Sequence, residues 1–130
     1  MEEANELIPR LAILMERLQM QASSLRARIQ ELAVGDPAIL RTEFAELSSR
    51  HPELRSFARS IAAAAEEIEA TGAVLKDLEQ GLVDFPYDAG DEVVFLCWQF
   101  GEPRILAWHP IDGGFAGRQP ISGAPKSYLN

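Results

Sequence analysis

"ATGAVLKDLEQGLVDFP", residues 70–86, is where one kind of sequence gives way to another. Before it, apolar residues recur at helical spacing. After it, they come in short runs broken by Gly and Pro. Thr71-Gly72 is a natural helix stop, although the seven-residue step persists to Leu75, with Leu78 beside it. Either "VLKDL" or "LVDFP" offers a strand, because Gly81 and Pro86 punctuate the segment. Composition turns at Gly81: residues 81–130 hold seven of the nine glycines, five of the eight prolines and eight of the ten aromatics. The chain therefore divides into a coiled-coil-like helical hairpin over 1–80, a small β module over 81–121 packed on it, and a flexible tail over 122–130. The fold class is α+β, a long antiparallel helical hairpin followed by a small antiparallel β module, in one structural domain.

Working back from the switch, Leu11, Leu18, Leu25 and Leu32 fall seven residues apart, and Ile8, Met15, Ala22 and Ile29 repeat the interval beside them. This is a broad apolar face at helical spacing. Pro9 starts the main helix or kinks a short lead-in turn, and the helix ends near "AVGDP". Asp36-Pro37 is a start signal, a capping side chain before a residue whose missing N–H costs nothing in the first turn. Leu40, Leu47, Leu54, Ile61, Ile68 and Leu75 then keep the seven-residue step through "RHPEL". Pro52 is therefore read as bending one helix of roughly 50 Å, at ~1.5 Å per residue. A connection as short as "AVGD" makes the two helices antiparallel. A bare hairpin of that length leaves apolar surface wet, and Ala62–Ala65 permits close approach, so a homodimer in a four-helix arrangement is expected, the alternative being a monomer whose β module covers the stripe.

Working forward, "DEVVFLCWQF" and "RILAWH" are β-branched and aromatic runs joined by "GEP", a hairpin preceded by a turn at "DAGD". A two- or four-residue loop sets Cys97 opposite Trp108, and a three-residue loop sets Trp98 opposite Leu106.

The totals limit the partners. With 20 acidic and 12 basic side chains the formal charge is −8, a field that repels phosphate backbones and anionic lipid. Neither nucleic acid nor a membrane is expected as a partner. The single cysteine, Cys97, rules out an intramolecular disulfide and fits a reducing cytoplasm. The acidic start "MEEANELIPR" is unlike a signal peptide.

"GLVDFP", "VFLCWQFGEP" and "WHPIDGGFAGRQPI", together with the opening "EEANELIPRL", resemble an uncharacterised bacterial family catalogued as domain of unknown function 2203. The resemblance spans nearly the whole chain. It implies that Gly81 to Ile121 is one unit, and carries no activity, substrate or catalytic residue across.

Chemistry-bearing residues converge at "AWHPIDGGFAGRQP", residues 107–120. His109 and Asp112, with Cys97 across the hairpin, are a weak candidate metal set or a base with its orienting acid, but they lack a recognised zinc spacing. In the bland reading His109 ends a strand and Asp112 accepts backbone bonds in a turn. Gly113, Gly114 and Gly117 with Arg118 and Gln119 suggest a nest and a clamp for an anion. The alternative pairs Arg118 with Asp84 or Asp112 in a glycine turn. Trp98, Trp108, Phe100 and Phe115 either line a pocket or, as is commoner in a small sheet, form its core. Lys76 and Asp77 are solvated or locally paired. Cys97, mid-strand, reads as a buried small hydrophobe.

The candidate ligand-binding residues are thus Asp84, Trp108, His109, Asp112, Arg118 and Gln119, with no catalytic residue and no cofactor assigned. The expected function is a non-enzymatic, self-associating scaffold that binds a partner protein. The competing reading is a small-molecule, anion or metal-binding protein, or an enzyme, with its site in the C-terminal module.

Overall fold

The computed structural model describes residues 2–111 and 117–121. A short α1 (Glu2–Glu6) leads into α2 (Ile8–Gly35), with Pro9 in the first turn of the longer helix. After a 3-10 helix (Pro37–Arg41) come α3 (Phe44–Arg50) and α4 (Pro52–Ala70). Five strands follow: β1 (Val74–Asp77), β2 (Leu82–Asp88), β3 (Val93–Gln99), β4 (Ala107–Pro110) and β5 (Gln119–Pro120). They form an antiparallel meander in chain order. Both "VLKDL" and "LVDFP" supply strands, so the sheet begins at Val74, ahead of the compositional shift at Gly81.

α2 and α4 run antiparallel, as Arg10 pairs with Glu67 at one end and Arg28 with Glu53 towards the other. The expected 50 Å second helix is not formed. Asp36 does cap, its Oδ1 accepting from Ala38 N at 3.2 Å, but what it starts is the 3-10 helix. His51, disfavoured from helical geometry by the proline after it, sits at φ −131° and ψ 83°, and Pro52 opens a separate helix. The seven-residue step survives this break because Leu47 and Leu54 still turn inward with Ile39. Leu40, placed on that stripe by spacing, is 66% exposed while its neighbour Ile39 is buried, since a 3-10 turn rotates the register.

The sheet packs over the N-terminal half of α2. Val83, Phe85, Leu96 and Trp98 join Leu11, Leu14, Met15, Leu18 and Ile68 in the main core. The C-terminal half of α2 meets Ile39, Leu47 and Leu54 in a second cluster through Leu25, Ile29 and Leu32. The stripe expected to stay wet is thus covered within the chain. Gln19 Nε2 ties helix to sheet by donating to the carbonyls of Leu78 and Glu79, and Asn5 Oδ1 accepts from Ile105 N at 2.7 Å. Gly81 enters β2 at φ +70°, where a Cβ would lie 2.6 Å from that of Phe100, so only glycine fits.

β3 and β4 pair as Cys97 with Ala107 and Leu96 with Trp108, the register in which Trp98 falls opposite Leu106. The strands are joined by residues 100–106 rather than by "GEP" alone, and "RIL" lies outside β4. The "DAGD" turn forms, closed by Ala89 N to Glu92 O at 2.9 Å.

Candidate functional site

Strand alternation gives the sheet two unlike faces. Val83, Phe85, Leu96, Trp98 and Trp108 face the helices. The other face carries Leu82, Asp84, Cys97, Ala107 and His109, all of them buried. Asp84 on β2 and His109 on β4 are each 3% exposed. Two strand spacings, roughly 9.6 Å, separate those strands. Their side chains meet above β3, beside the small Cys97 and with the Phe95 ring 5.4 Å from that of His109.

Nε2 of His109 lies 2.9 Å from Oδ2 of Asp84, and Nδ1 lies 2.7 Å from the Pro110 carbonyl oxygen. Both ring nitrogens therefore face acceptors. A neutral imidazole carries one N–H, so which nitrogen donates is set by the tautomer. Neither nitrogen is left as a metal ligand or an unengaged base. The other carboxylate oxygen of Asp84, Oδ1, accepts no hydrogen bond among the described residues.

Above the pair is a cavity of about 290 Å³, lined also by Lys76, Asp77, Gln80, Leu82, Cys97 and Ile111. Lys76 Nζ stands 5.6 Å from the Phe95 ring centroid, and Asp77 Oδ1 accepts from Gln80 N at 2.9 Å, so these two are not paired with each other. Burial pushes the Cys97 thiol up from 9.0 to about 11, against the pull of nearby Arg118, and holds it neutral at ordinary pH.

The sequence candidates thus separate into groups. Asp84, Cys97 and His109 come together. Arg118 approaches Cys97, and its Nη2 donates to both oxygens of Glu102, at 2.8 and 2.6 Å, rather than to Asp84. Those bonds raise its pKa although burial opposes its charge. Trp108 packs on the helix-side core and Gln119 is its exposed neighbour on β5, so neither borders the cavity. Trp98 and Phe100 also belong to the core, with Trp98 Nε1 donating to Glu102 O at 2.9 Å. Asp112, Gly113, Gly114 and Phe115, and the expected tail over 122–130, lie outside the described residues. Among the described residues, no group of three or more His, Cys, Asp or Glu is arranged to hold a metal ion.

Sequence reasoning did not single out Glu102, Gln80 or a cavity role for Lys76. It also paired His109 with Asp112 rather than Asp84. One signal was available: Asp84 is the lone charge inside the apolar run "GLVDFP". A charge buried in a strand needs a partner.

Residues 1–121 match the family model described as Uncharacterized conserved protein (DUF2203), and the chain belongs to that family. No curated protein and no solved structure matches the chain. Among the described residues, no helix is long and apolar enough to cross a membrane.

Proposed function

We propose that the protein binds a small polar molecule in the cavity over β2, β3 and β4, with Asp84 as the residue that recognises it. The supporting observation is the Asp84–His109 pair, 3% exposed on both sides, at the base of that cavity. Replacing a buried ion pair by packed apolar residues is often neutral or stabilising. A buried polar pair on a face that otherwise carries Leu82, Phe95, Cys97 and Ala107 therefore has a use other than stability. His109 holds the carboxylate in place, and Oδ1 is an acceptor for a ligand N–H or O–H. Lys76 and Gln80 bring donors for a carboxylate or carbonyl at the other end. The chemistry fits a small amino acid or hydroxy acid, and 290 Å³ is near the lower end of ligand-pocket sizes. Binding is favoured over catalysis, because both nitrogens of His109 are engaged and the Cys97 thiol is neutral. The lone, buried Cys97 is compatible with a reducing, cytoplasmic setting.

The test is thermal unfolding of the purified protein against a panel of amino acids, hydroxy acids and neutral sugars. We expect stabilisation by compounds carrying both a donor group and a carboxylate. It should be lost in Asp84→Asn and weakened in Lys76→Gln, an exposed position whose change leaves the fold intact. A wild type stabilised by none of them, or stabilised equally in both variants, overturns the proposal.

A second reading, a self-associating helical scaffold, draws support from apolar side chains left exposed on α2, Ile13, Met20 and Val34 among them. It is compatible with the first, because those residues lie away from the cavity.

A further inference from the structure

α2 carries a second apolar stripe. Ile13, Met20, Ala27 and Val34 stand seven residues apart. All four are exposed, Ile13 at 57%, Met20 at 61% and Val34 at 86%. At 3.6 residues per turn they lie on the side of the helix opposite Leu11, Leu14, Met15 and Leu18, and a seven-residue step keeps them in one narrow row. Ile13, Glu16, Arg17 and Met20, with Gln21, outline a concavity of about 270 Å³. Positions i, i+3, i+4 and i+7 are the four corners of the hole that receives a side chain from a second helix.

We propose that this face is covered by a second copy of the chain, α2 against α2 antiparallel, about a two-fold axis between Ser23 and Ser24. This deepens the scaffold reading and is independent of the cavity. The row is symmetric about that point. Reversing the helix sets Ile13 opposite Val34 and Met20 opposite Ala27, while Ser23 and Ser24 meet their own copies, small enough for close approach. The flanks obey the same symmetry. Arg17, Ser24 and Glu31 lie on one side of the row, so Arg17 of each copy meets Glu31 of the other and Ser24 meets itself. On the opposite side Glu16 falls against Gln30. Arg17 makes no ion pair within the chain among the described residues, and Glu31 has only the exposed contact with Arg28 at 3.0 Å. In a parallel pair opposite flanks would face each other, and Arg17 would no longer meet Glu31. One helix pair over Ile13–Val34, about 32 Å long, is a modest contact. Association should therefore be reversible.

The experiment is sedimentation velocity on the full chain across a concentration series, paired with cysteine cross-linking. We expect the mass to rise towards a dimer with concentration, and Met20→Glu, an exposed change, to hold it at the monomer with an unaltered melting curve. Under mild oxidation Ser24→Cys should form a disulfide dimer and Ile13→Cys should not. An equimolar mixture of Ile13→Cys and Val34→Cys should cross-link. A constant monomer mass, a dimer that survives Met20→Glu, or self-linking of Ile13→Cys overturns the proposal.

Discussion

His109 and Asp84 meet at 2.9 Å across β3, although their strands are not neighbours. On β3 the small Cys97, opposite Asp84, leaves room for the contact, and Pro110 O engages the far nitrogen of the ring and fixes its orientation. A polar bridge of this kind is sensitive both to loss of a partner and to added bulk below it.

Removal of one partner is the first case. Asp84→Ala leaves His109 buried without its carboxylate, and we expect a loss of about 3–5 kcal/mol in urea unfolding. His109→Ala should cost a similar amount. The double variant should lose clearly less than the sum, because the second substitution removes the group that the first stranded. Additive losses would show that the two residues do not act as a pair.

Cys97 sets a pH dependence. Its folded pKa, raised from 9.0 to about 11, lies above the unfolded value, so the unfolded chain loses its proton first as pH rises. The stability it contributes is complete below pH 9.0 and declines as pH rises through about 11. A shift of that size corresponds to roughly 2–3 kcal/mol. Cys97→Ala should flatten that part of a stability–pH curve measured by urea denaturation. The same slope in both proteins would assign the decline to other groups.

Bulk at this position gives a separate outcome. Cys97→Leu should force Asp84 and His109 apart and destabilise by about 1–3 kcal/mol, as overpacking does. The imidazole NMR resonances of His109 should shift in the same variant. Unchanged resonances would mean that the pair does not pass over Cys97.

Two glycines with positive φ should respond unequally to alanine. Gly72 stands at φ +98° with nothing within 4 Å of an added Cβ, so Gly72→Ala should cost about 1 kcal/mol of backbone strain. Gly81 adds a steric clash 2.6 Å from Phe100 Cβ, at the entry to β2. Gly81→Ala should therefore lose more, about 2–4 kcal/mol, since the strain adds to overpacking. Equal melting temperatures for the two variants would contradict the clash.

Arg118 and Glu102, with side chains 21% and 19% exposed, form a partly buried pair. Arg118→Ala should cost about 1–3 kcal/mol, the range for stranding a hydrogen-bonded charge, and Glu102→Gln less, because the amide keeps an acceptor oxygen. Chemical denaturation of both variants decides this. A neutral Arg118→Ala would show that the guanidinium is not held by Glu102.

By itself the sequence determined the class of fold. Periodicity over Leu11 to Leu32, the Pro9 signal, the Thr71-Gly72 stop and the β-branched run around Cys97 are local properties of the chain, and each produced the element it implied, whereas the Asp36-Pro37 signal started a 3-10 helix in place of the long helix expected there. Where local signals competed, only the tertiary structure decided. The seven-residue step argued for one helix through Pro52, but the backbone cost before a proline broke it, and burial of Leu47 and Leu54 tolerated the break. The functional face lay further from view. Asp84 and His109 are 25 residues apart on strands that never pair, and their meeting depends on register, sheet order and the small Cys97 on the strand between them. Arg118 likewise meets Glu102, 16 residues away, which sequence reasoning did not single out: a charge finds the partner that folding brings within reach, and distance along the chain does not measure that.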